Sequence, residues 1–455
     1  MRGGKSFLIL LVLAAGLGGY AYFVESKHDP SDVAATKKDK VFTVDSEKID
    51  EITVKAENGD VTKVKKANNT WKIVSPAALD TDPAEVSAIT TALAGLESEK
   101  VVDANPPSLK EFTLDPPKMS ITFHVAGETG THRIDLGMKT PVGGDLYAKV
   151  EGKPAVFLVG AYREDALNKS TFNLRDKTVL VFDRDGANFL KIDDGKKPIV
   201  AAKQDNQWQL SQPLAGPADF TAVDGLIGRL YQSRMKSFVA DDGTKDLKKY
   251  GLDKPQVVVT VGAGSARAQL ALGAKTSDGS VYARDLTRPM IFTLEGTLVD
   301  DLKKPVGDMR QKDVFDFRTF SALGLDVTRG GQTYSFKAES EPVDGKLGPW
   351  KLIKPSDKML DATKINDLLV NFSSLRADSF IEAPGTGEET VVTARFGTAS
   401  APKTETVTFR VIPAKGKDGK VVVHAMRKGE KDAMVVSALD FDKAMAVFKE
   451  LTGSK

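Results

Sequence analysis

The chain has 455 residues, of which 28% are charged and 41% hydrophobic, a globular composition with room for about three domains. Lys and Arg (64) nearly balance Asp and Glu (62), so no overall positive charge attracts nucleic acid, and nucleic-acid binding is not predicted. The absence of cysteine excludes disulfides, thiol catalysis, cysteine-ligated metal sites and an acylated lipoprotein anchor.

The amino terminus predicts a membrane anchor. The basic residues 1–6 precede 18 apolar residues without charge, 7–24, which would span about 27 Å as a helix. That length nearly matches a hydrocarbon core of about 30 Å, and the preceding positive charge predicts a cytoplasmic amino terminus. A cleaved signal peptide is the alternative, with Gly19-Tyr20-Ala21 as its small-x-small site. Residues 25–40 are interpreted as a polar tether.

Three internal repeats follow the tether. The three tryptophans of the chain lie 137 and 142 residues apart, and each is followed after five residues by a proline and after eleven by an aspartate. We call these nine positions the repeat signature: Trp71, Pro76, Asp82, Trp208, Pro213, Asp219, Trp350, Pro355 and Asp361. The signature predicts one folded unit used three times.

The spacing within the signature predicts a strand, a proline turn and a helix capped by the aspartate. Apolar residues 15, 18 and 22 positions after each tryptophan share one helical face; they are Val86, Ile89 and Leu93, then Val223, Leu226 and Leu230, then Ile365, Leu368 and Phe372. Each aspartate lies four residues before this face begins, where an N-cap accepts from free backbone N–H groups. In the first repeat, Glu85 predicts a capping-box-like arrangement.

The second half of each repeat predicts an antiparallel meander, because segments such as MSITFHVA and THRIDLG alternate apolar and polar residues. A short helix and then Arg175 or Arg310 close the first two repeats, and we predict contacts between units at these arginines. The third repeat is divergent and ends in an amphipathic helix. The predicted fold is α+β, with repeats at 41–176, 177–312 and 313–455, each an antiparallel sheet with one packed helix.

The repeat resembles a known bacterial family. A strand ending in tryptophan, the signature proline and aspartate, a GLDxP-like turn (FTLDPP, YGLDKP) and an LG…YA[KR]…VF meander are similar to the family called domain of unknown function 4340. The resemblance implies one amino-terminal membrane helix and an extracytoplasmic, β-rich body. It also implies a link to accessory components of gliding-type ABC transporters, and it supplies no catalytic residues.

No catalytic, metal-binding or cofactor-binding residue is predicted. The four histidines are His28 in the tether, His124 and His132 beside a hairpin turn, and His424 at a position that tyrosines occupy in the other repeats. Two histidines without a third ligand make a weak metal site. The acidic segment 182–197 lacks the full calcium-loop pattern, and the glycine-rich turns lack phosphate-loop spacing.

We therefore expect a non-enzymatic, single-pass protein of the bacterial inner membrane, with the bulk of the chain periplasmic. Its expected role is a scaffold or adaptor for envelope proteins, including ABC-transporter subunits, since repeat arrays present surface and span distance. A module that binds a periplasmic ligand or cell-wall glycan is the alternative, and it predicts solvent-facing aromatic side chains. An envelope hydrolase is a third class, which requires a polar cluster formed between units.

Overall fold

The structure is a computed structural model that describes residues 39–241, 245–341, 347–413 and 421–454. The chain forms two compact units, Met1–Lys177 and Thr178–Lys455. Repeat 1 lies in the first unit, and repeats 2 and 3 lie in the second. The predicted anchor at 7–24 and His28 lie outside the described residues. None of the helices in the described ranges is long and apolar enough to cross a membrane.

Repeat 1 contains one nine-stranded antiparallel sheet and a separate two-stranded ladder. Its strands are β1 (Asp39–Lys40), β2 (Ile49–Lys55), β3 (Val61–Ala67), β4 (Thr70–Ser75), β5 (Leu79–Asp80), β6 (Glu97–Ser98), β7 (Lys100–Asp103), β8 (Met119–Val125), β9 (Thr131–Lys139), β10 (Leu146–Val150) and β11 (Val156–Val159). The order across the large sheet is β5-β4-β3-β2-β8-β9-β10-β11-β7, and β1 pairs with β6. From β2 to β5 the chain moves outward to one edge of the sheet. It then re-enters at the opposite edge as β7, and β8 to β11 fill the space between β2 and β7.

Repeat 2 forms a second nine-stranded antiparallel sheet of the same topology. Its strands are β12 (Phe189–Asp193), β13 (Ile199–Gln204), β14 (Gln207–Gln212), β15 (Gly216–Pro217), β16 (Ser237–Ala240), β17 (Val257–Ala263), β18 (Ala266–Lys275), β19 (Val281–Asp285) and β20 (Ile291–Leu294). They lie in the order β15-β14-β13-β12-β17-β18-β19-β20-β16.

Repeat 3 forms the third such sheet. Its strands are β21 (Ala322–Arg329), β22 (Gln332–Ala338), β23 (Trp350–Lys354), β24 (Lys358–Met359), β25 (Ala377–Ile381), β26 (Glu388–Thr398), β27 (Ala401–Ile412), β28 (Val422–Arg427) and β29 (Ala433–Val436). Their order, β24-β23-β22-β21-β26-β27-β28-β29-β25, matches the other two sheets position by position. The α+β prediction with antiparallel sheets is confirmed, and the described part of the chain contains three sheets of one design.

One helix in each repeat connects the two edges of its sheet. The helices are α1 (Pro83–Ala94), α2 (Glu164–Leu167), α3 (Thr171–Leu174), α4 (Phe220–Gln232), α5 (Thr297–Leu302), α6 (Ala362–Ser373) and α7 (Ala438–Thr452). In α1, Val86, Ile89 and Leu93 are fully buried, and burial of such a side chain contributes about 1.5–3 kcal/mol. In α4 the prediction was wrong at one position. Ile227 is buried and Leu226 only half-buried, because i+4 lies on the same helical face as i+3.

Each hydrophobic core forms where the helix packs on its sheet. In repeat 1 the helix side chains meet inward-facing strand residues such as Ile52, Val64 and Phe123. The strand β2 pairs with β8 so that Ile52 lies opposite Phe123, although the two residues are 71 positions apart in the chain. Alternating burial along β2 and β8 places every second side chain in this core.

The opposite face of the sheet carries the GLDxP-like turn in repeats 1 and 2. In repeat 1 the turn includes Phe112, whose ring packs 5.0 Å from that of Tyr147, which points away from the core. A Cβ on Gly137 would lie 2.0 Å from the carbonyl oxygen of Phe112. In repeat 2, Gly273 stands in the same relation to Tyr250, at 2.2 Å. The glycine of the LG motif is therefore required for the close approach of the turn backbone.

Candidate functional site

The signature tryptophans lie in equivalent strands but differ in burial. Trp71 in β4 is half-buried, whereas Trp208 in β14 and Trp350 in β23 are 2% and 1% exposed. The buried Nε1 atoms of Trp208 and Trp350 have no hydrogen-bond partner within the described ranges. Two of the three indoles thus offer no open face on which a sugar could stack.

The signature prolines and aspartates have the same local geometry in every repeat. Each proline directly follows its strand, and the preceding peptide bonds of Pro76, Pro213 and Pro355 are all cis. Each aspartate is an N-cap: the carboxylate accepts from Ala84 N at 3.1 Å, from Ala222 N at 2.9 Å and from Lys364 N at 2.9 Å, for Asp82, Asp219 and Asp361 respectively. Each carboxylate is therefore engaged by the backbone of its own helix.

One detail at these positions departs from the sequence-based expectation. Glu85 does not complete a capping box, because its carboxylate pairs with Lys169 Nζ at 2.7 Å and Lys177 Nζ at 3.6 Å. Lys169 lies at the end of repeat 1 and Lys177 at the first position of repeat 2, and no local pattern could indicate either. The Glu85 pair therefore ties the end of the repeat to the start of its helix.

The histidines of repeat 1 meet at Glu128. His124 Nδ1 lies 2.6 Å from Asp50 Oδ1 and its Nε2 lies 3.0 Å from the Glu128 carbonyl oxygen, while His132 Nε2 lies 2.7 Å from Glu128 Oε2. The bond to Asp50, with the Glu128 carbonyl, raises the pKa of His124 above its ordinary 6.5. Within the described ranges, no group of three or more acidic or imidazole ligands is arranged to hold a metal ion.

In repeat 3, His424 occupies the position that Tyr147 and Tyr282 have in the other repeats, and the turn that packs on it differs from theirs. Its Nδ1 accepts from Gly385 N at 2.9 Å, which fixes the neutral tautomer with hydrogen on Nε2. Burial lowers the pKa of His424, in agreement with a neutral ring. In this repeat, Gly387 is the glycine that allows two backbone segments to approach closely, since a Cβ there would lie 2.1 Å from the Val411 carbonyl oxygen. His424 is thus a packing residue at this turn.

Arg310 lies at the end of repeat 2 and contacts repeat 3. Its backbone bridges Ala218, and its guanidinium, 3% exposed, donates from Nη1 to Asp432 Oδ2 at 2.7 Å. The guanidinium carbon also lies 4.0 Å from the centre of the Phe380 ring. Arg175 has the equivalent position in repeat 1, where it is buried and its backbone bridges Thr81.

Further charged side chains surround the Arg310–Asp432 pair. Arg427 lies 3.7 Å from Glu430 and 3.6 Å from Glu405, and Arg310 lies 3.7 Å from Glu430. Burial raises the pKa of both glutamates despite these arginines. We call Arg310, Arg427, Glu405, Glu430 and Asp432 the joint network, and it joins repeats 2 and 3 within the second unit.

Arginines also hold the segments that enter repeats 2 and 3. Arg288 donates to the carbonyl oxygens of residues 178 and 179, and Arg427 donates to those of residues 313 and 314. The two segments are 135 positions apart, the same separation as Arg175 and Arg310. Sequence reasoning missed these anchors.

The ion pairs beside the two anchoring arginines have opposite polarity. Repeat 2 has Asp285 and Arg288, 2.9 Å apart, whereas repeat 3 has Arg427 and Glu430 at the positions 142 residues later. An acid and a base have exchanged places in a hairpin turn, yet an arginine still binds the same pair of carbonyls. The aligned residues differ in charge, so the sequence alone indicates divergence here.

Two cavities of the second unit lie beside the signature elements of repeat 2. A cleft of about 550 Å³ lies between repeats 2 and 3, lined by Gln207, Gln209, Lys403 and Phe220, of which Phe220 is 58% exposed. A groove of about 690 Å³ runs beside α4, where Gly225 and Gly228 give it a wall without side chains. Of the arginines that line the groove, Arg184 and Arg229 pair with aspartates, and Arg234 donates to backbone carbonyl oxygens. Neither cavity gathers the residues of a reaction centre.

Comparison with known proteins agrees with the repeat pattern. The family described as "Domain of unknown function (DUF4340)" matches residues 71–214 and 208–395, more than half of the chain. The two matches begin at Trp71 and Trp208, so each starts at a signature strand and ends in the following repeat. No curated protein matches the chain significantly. The chain therefore belongs to the DUF4340 family.

Proposed function

We propose that this protein is a non-enzymatic scaffold or adaptor, anchored in the cytoplasmic membrane and exposed on its outer side, that binds protein partners. The partners we propose are subunits of an ABC-type transporter of the cell envelope. Residues 7–24 would be the anchor, since their apolar length fits a bilayer and basic residues precede them. The family resemblance supplies the class of partner.

The observation that carries this proposal is the use of the signature residues by the fold. All three aspartates cap helices at 2.9–3.1 Å, and Trp208 and Trp350 are buried in the sheets. The three aspartates and two of the three tryptophans thus maintain the fold of their repeats. A folded array of repeats presents an extended surface, and such a surface suits a scaffold or adaptor.

The joint network supports a fixed presentation of that surface. Arg310 and Asp432 are buried and hydrogen-bonded, and Arg427 binds the chain segment that connects the two sheets. A buried pair of this kind favours one placement of repeat 2 relative to repeat 3, because separating the two side chains would leave a desolvated charge. Repeats 2 and 3 therefore suit a rigid two-sheet platform.

The partner can be tested by affinity purification of the full chain from its own membranes after mild cross-linking. Recovery of ABC permease subunits at constant stoichiometry is expected. Recovery of cell-wall glycan without membrane protein would overturn the adaptor role and favour the alternative below. A variant that lacks residues 7–24 serves as the control and should lose membrane association.

The position of the chain relative to the membrane can be tested with single cysteines, because the chain contains none. Val142, which is 89% exposed in the turn between β9 and β10, is a suitable site. In Val142→Cys, an impermeant maleimide should label intact cells after the outer membrane is made permeable. Labelling only after lysis would place the repeats in the cytoplasm and contradict the proposal.

A ligand- or glycan-binding module is the second candidate, and the cleft between repeats 2 and 3 favours it. Phe220 is exposed at the mouth, and the side chains of Gln207 and Gln209 line the wall. An exposed aromatic ring beside carboxamides is suited to a sugar or a short peptide. Peptidoglycan pull-down should then be lost in Phe220→Ala and kept in Tyr231→Ala, an exposed aromatic on the same helix.

A further inference from the structure

The strand at one edge of each sheet occupies the same position in every repeat. Thirty residues after each signature tryptophan, the chain forms the edge strands β7, β16 and β25, with Val101, Phe238 and Phe380 at that position. In repeat 3 this edge is part of the joint. Phe380 lies under the Arg310 guanidinium and shares a cavity of about 310 Å³ with Leu214 and Val306 of repeat 2.

In repeat 1 the corresponding edge carries exposed valines in the part of the chain that the structure describes. Val101 is 55% exposed and Val102 is 40% exposed, and they lie in the strand Lys100–Asp103. β7 pairs with β11 on one side and has no neighbouring strand on its other side among the described residues. Successive side chains point to opposite faces, so both faces of the sheet carry apolar surface at this edge. Such edges invite pairing with another strand.

The first residues that the structure describes pair beside this edge. Asp39 in β1 pairs with Ser98 in β6, three residues before Val101. Residues 25–38 can extend at most about 50 Å from the proposed anchor at roughly 3.5 Å per residue. The open edge is therefore held within that distance of the membrane if the anchor is as proposed.

A second copy of the chain fits this edge poorly. Two-fold related strands in one antiparallel sheet keep each side chain on its own face, so opposed residue numbers must sum to an even number. Setting Val102 opposite itself places Val101 opposite Asp103, and setting Val101 opposite itself places Val102 opposite Lys100. Either register sets a valine against a charged side chain.

Head-to-tail packing of a second copy is also disfavoured. The residues of repeat 2 that cover the edge of repeat 3 include Val306 and Arg310. The positions 142 residues later fall at the end of α7, Ala438–Thr452, so the last repeat does not present that segment.

We propose that the β7 edge is the docking surface for an extended segment of the membrane-embedded partner, which adds to the sheet as a tenth strand. Its apolar side chains would cover Val101 and Val102, with an acidic residue near Lys100 and a basic residue near Asp103. The backbone supplies affinity and the valines supply selectivity, as in other cases of strand addition. This inference rests on the proposed adaptor function and names its contact surface.

The test uses the full chain in its own membranes. Val101→Cys carries the only cysteine, so cross-linking followed by mass spectrometry identifies the peptide at the edge. The expected peptide belongs to the integral-membrane protein that co-purifies with the wild type. A peptide from a second copy, a peptide from residues 1–38, or no cross-linked peptide would overturn the inference.

Charge substitution provides the second readout. The double variant Val101→Lys and Val102→Lys should lower recovery of that membrane protein by about tenfold, or about 1.4 kcal/mol. Val142→Lys makes the same chemical change at an exposed turn of the same repeat and should leave recovery unchanged. Circular dichroism checks that both variants stay folded.

The failures of the two proposals differ. Unchanged recovery in the double variant would remove this surface and leave the adaptor function standing. Absence of any co-purifying membrane protein with the wild type would overturn both.

Discussion

Arg310→Met should unfold the chain at lower denaturant than any surface ion-pair variant. The substitution keeps most of the side-chain volume but leaves Asp432 without its cation, and Asp432 and Arg310 have side chains only 8% and 3% exposed. Removing one member of a buried pair costs about 3–5 kcal/mol, because the other charge remains desolvated. Loss of the guanidinium from the Phe380 ring adds to this cost.

Urea unfolding of the full chain, followed by tryptophan fluorescence, measures this loss, since each repeat contains one tryptophan. Arg184→Met is the matched control. Its partner Asp224 lies at the same 2.7 Å, but the two side chains are 29% and 28% exposed, so a loss of about 0.2–1 kcal/mol is expected. The double variant Arg310→Met, Asp432→Leu should recover part of the loss. Equal losses for Arg310→Met and Arg184→Met would refute the role of burial in the joint.

Three further expectations concern a helix cap, two glycines and a paired histidine. Asp361→Ala should lower the free energy of unfolding by about 1 kcal/mol in chemical denaturation. By the same measurement, Gly137→Ala should cost about 1–3 kcal/mol through overlap with a carbonyl oxygen, whereas Gly225→Ala should stabilise by up to about 1 kcal/mol. Asp50→Asn should lower the pKa of His124 toward 6.5 in an NMR titration. The stability from this pair is complete below about pH 6.5 and is lost as pH rises through the raised pKa.

Each of these expectations has a clear contrary result. Asp367→Ala, on the exposed face of α6, is the control for the cap and should change stability by no more than about 0.5 kcal/mol. Equal effects of Asp361→Ala and Asp367→Ala would contradict capping. A stable Gly137→Ala would contradict the close backbone approach. A His124 titration unchanged in Asp50→Asn would show that the carboxylate does not hold the proton.

Local features of the fold could be predicted from the sequence. An aspartate, an apolar stripe and a preceding proline act within about four turns of helix, so their spacing is preserved in the chain. The structure accordingly has α1, α4 and α6 starting directly after Asp82, Asp219 and Asp361. The membership in the DUF4340 family was also accessible, because the same spacing carries the resemblance.

The assembly of each sheet could not be predicted in the same way. β2 pairs with β8 across about seventy residues, and the edge strand β7 inserts beside β11 rather than beside its neighbours in sequence. Pairing between distant strands depends on three-dimensional packing and leaves no periodic mark in either strand. The sequence therefore indicated a meander, and the nine-stranded order emerged only from the structure.

The anchoring arginines were missed for a different physical reason. A guanidinium is long and has five donors, so it can reach the same carbonyls from position 288 in one repeat and from a position equivalent to 285 in the next, as Arg427 does. The acid of each pair then takes the vacated place. The hydrogen bonds from an arginine to the two carbonyl oxygens are thus preserved, although the aligned residues differ in charge.

A triplicated fold separates structural residues from candidate functional ones. Positions that agree in all repeats, such as the capping aspartates, satisfy needs that every repeat shares. Positions where one repeat departs have no such explanation. Gly225 and Gly228 replace Ala88 and Thr91 of α1 and cost roughly 1 kcal/mol each in a helix interior, although a Cβ at either would meet no atom closer than 3.7 Å. Val101 is likewise open where Phe380 is covered. Residues that lower stability and gain no packing contact are expected at functional surfaces. Partner binding should therefore be sought at Gly225, Gly228 and Val101.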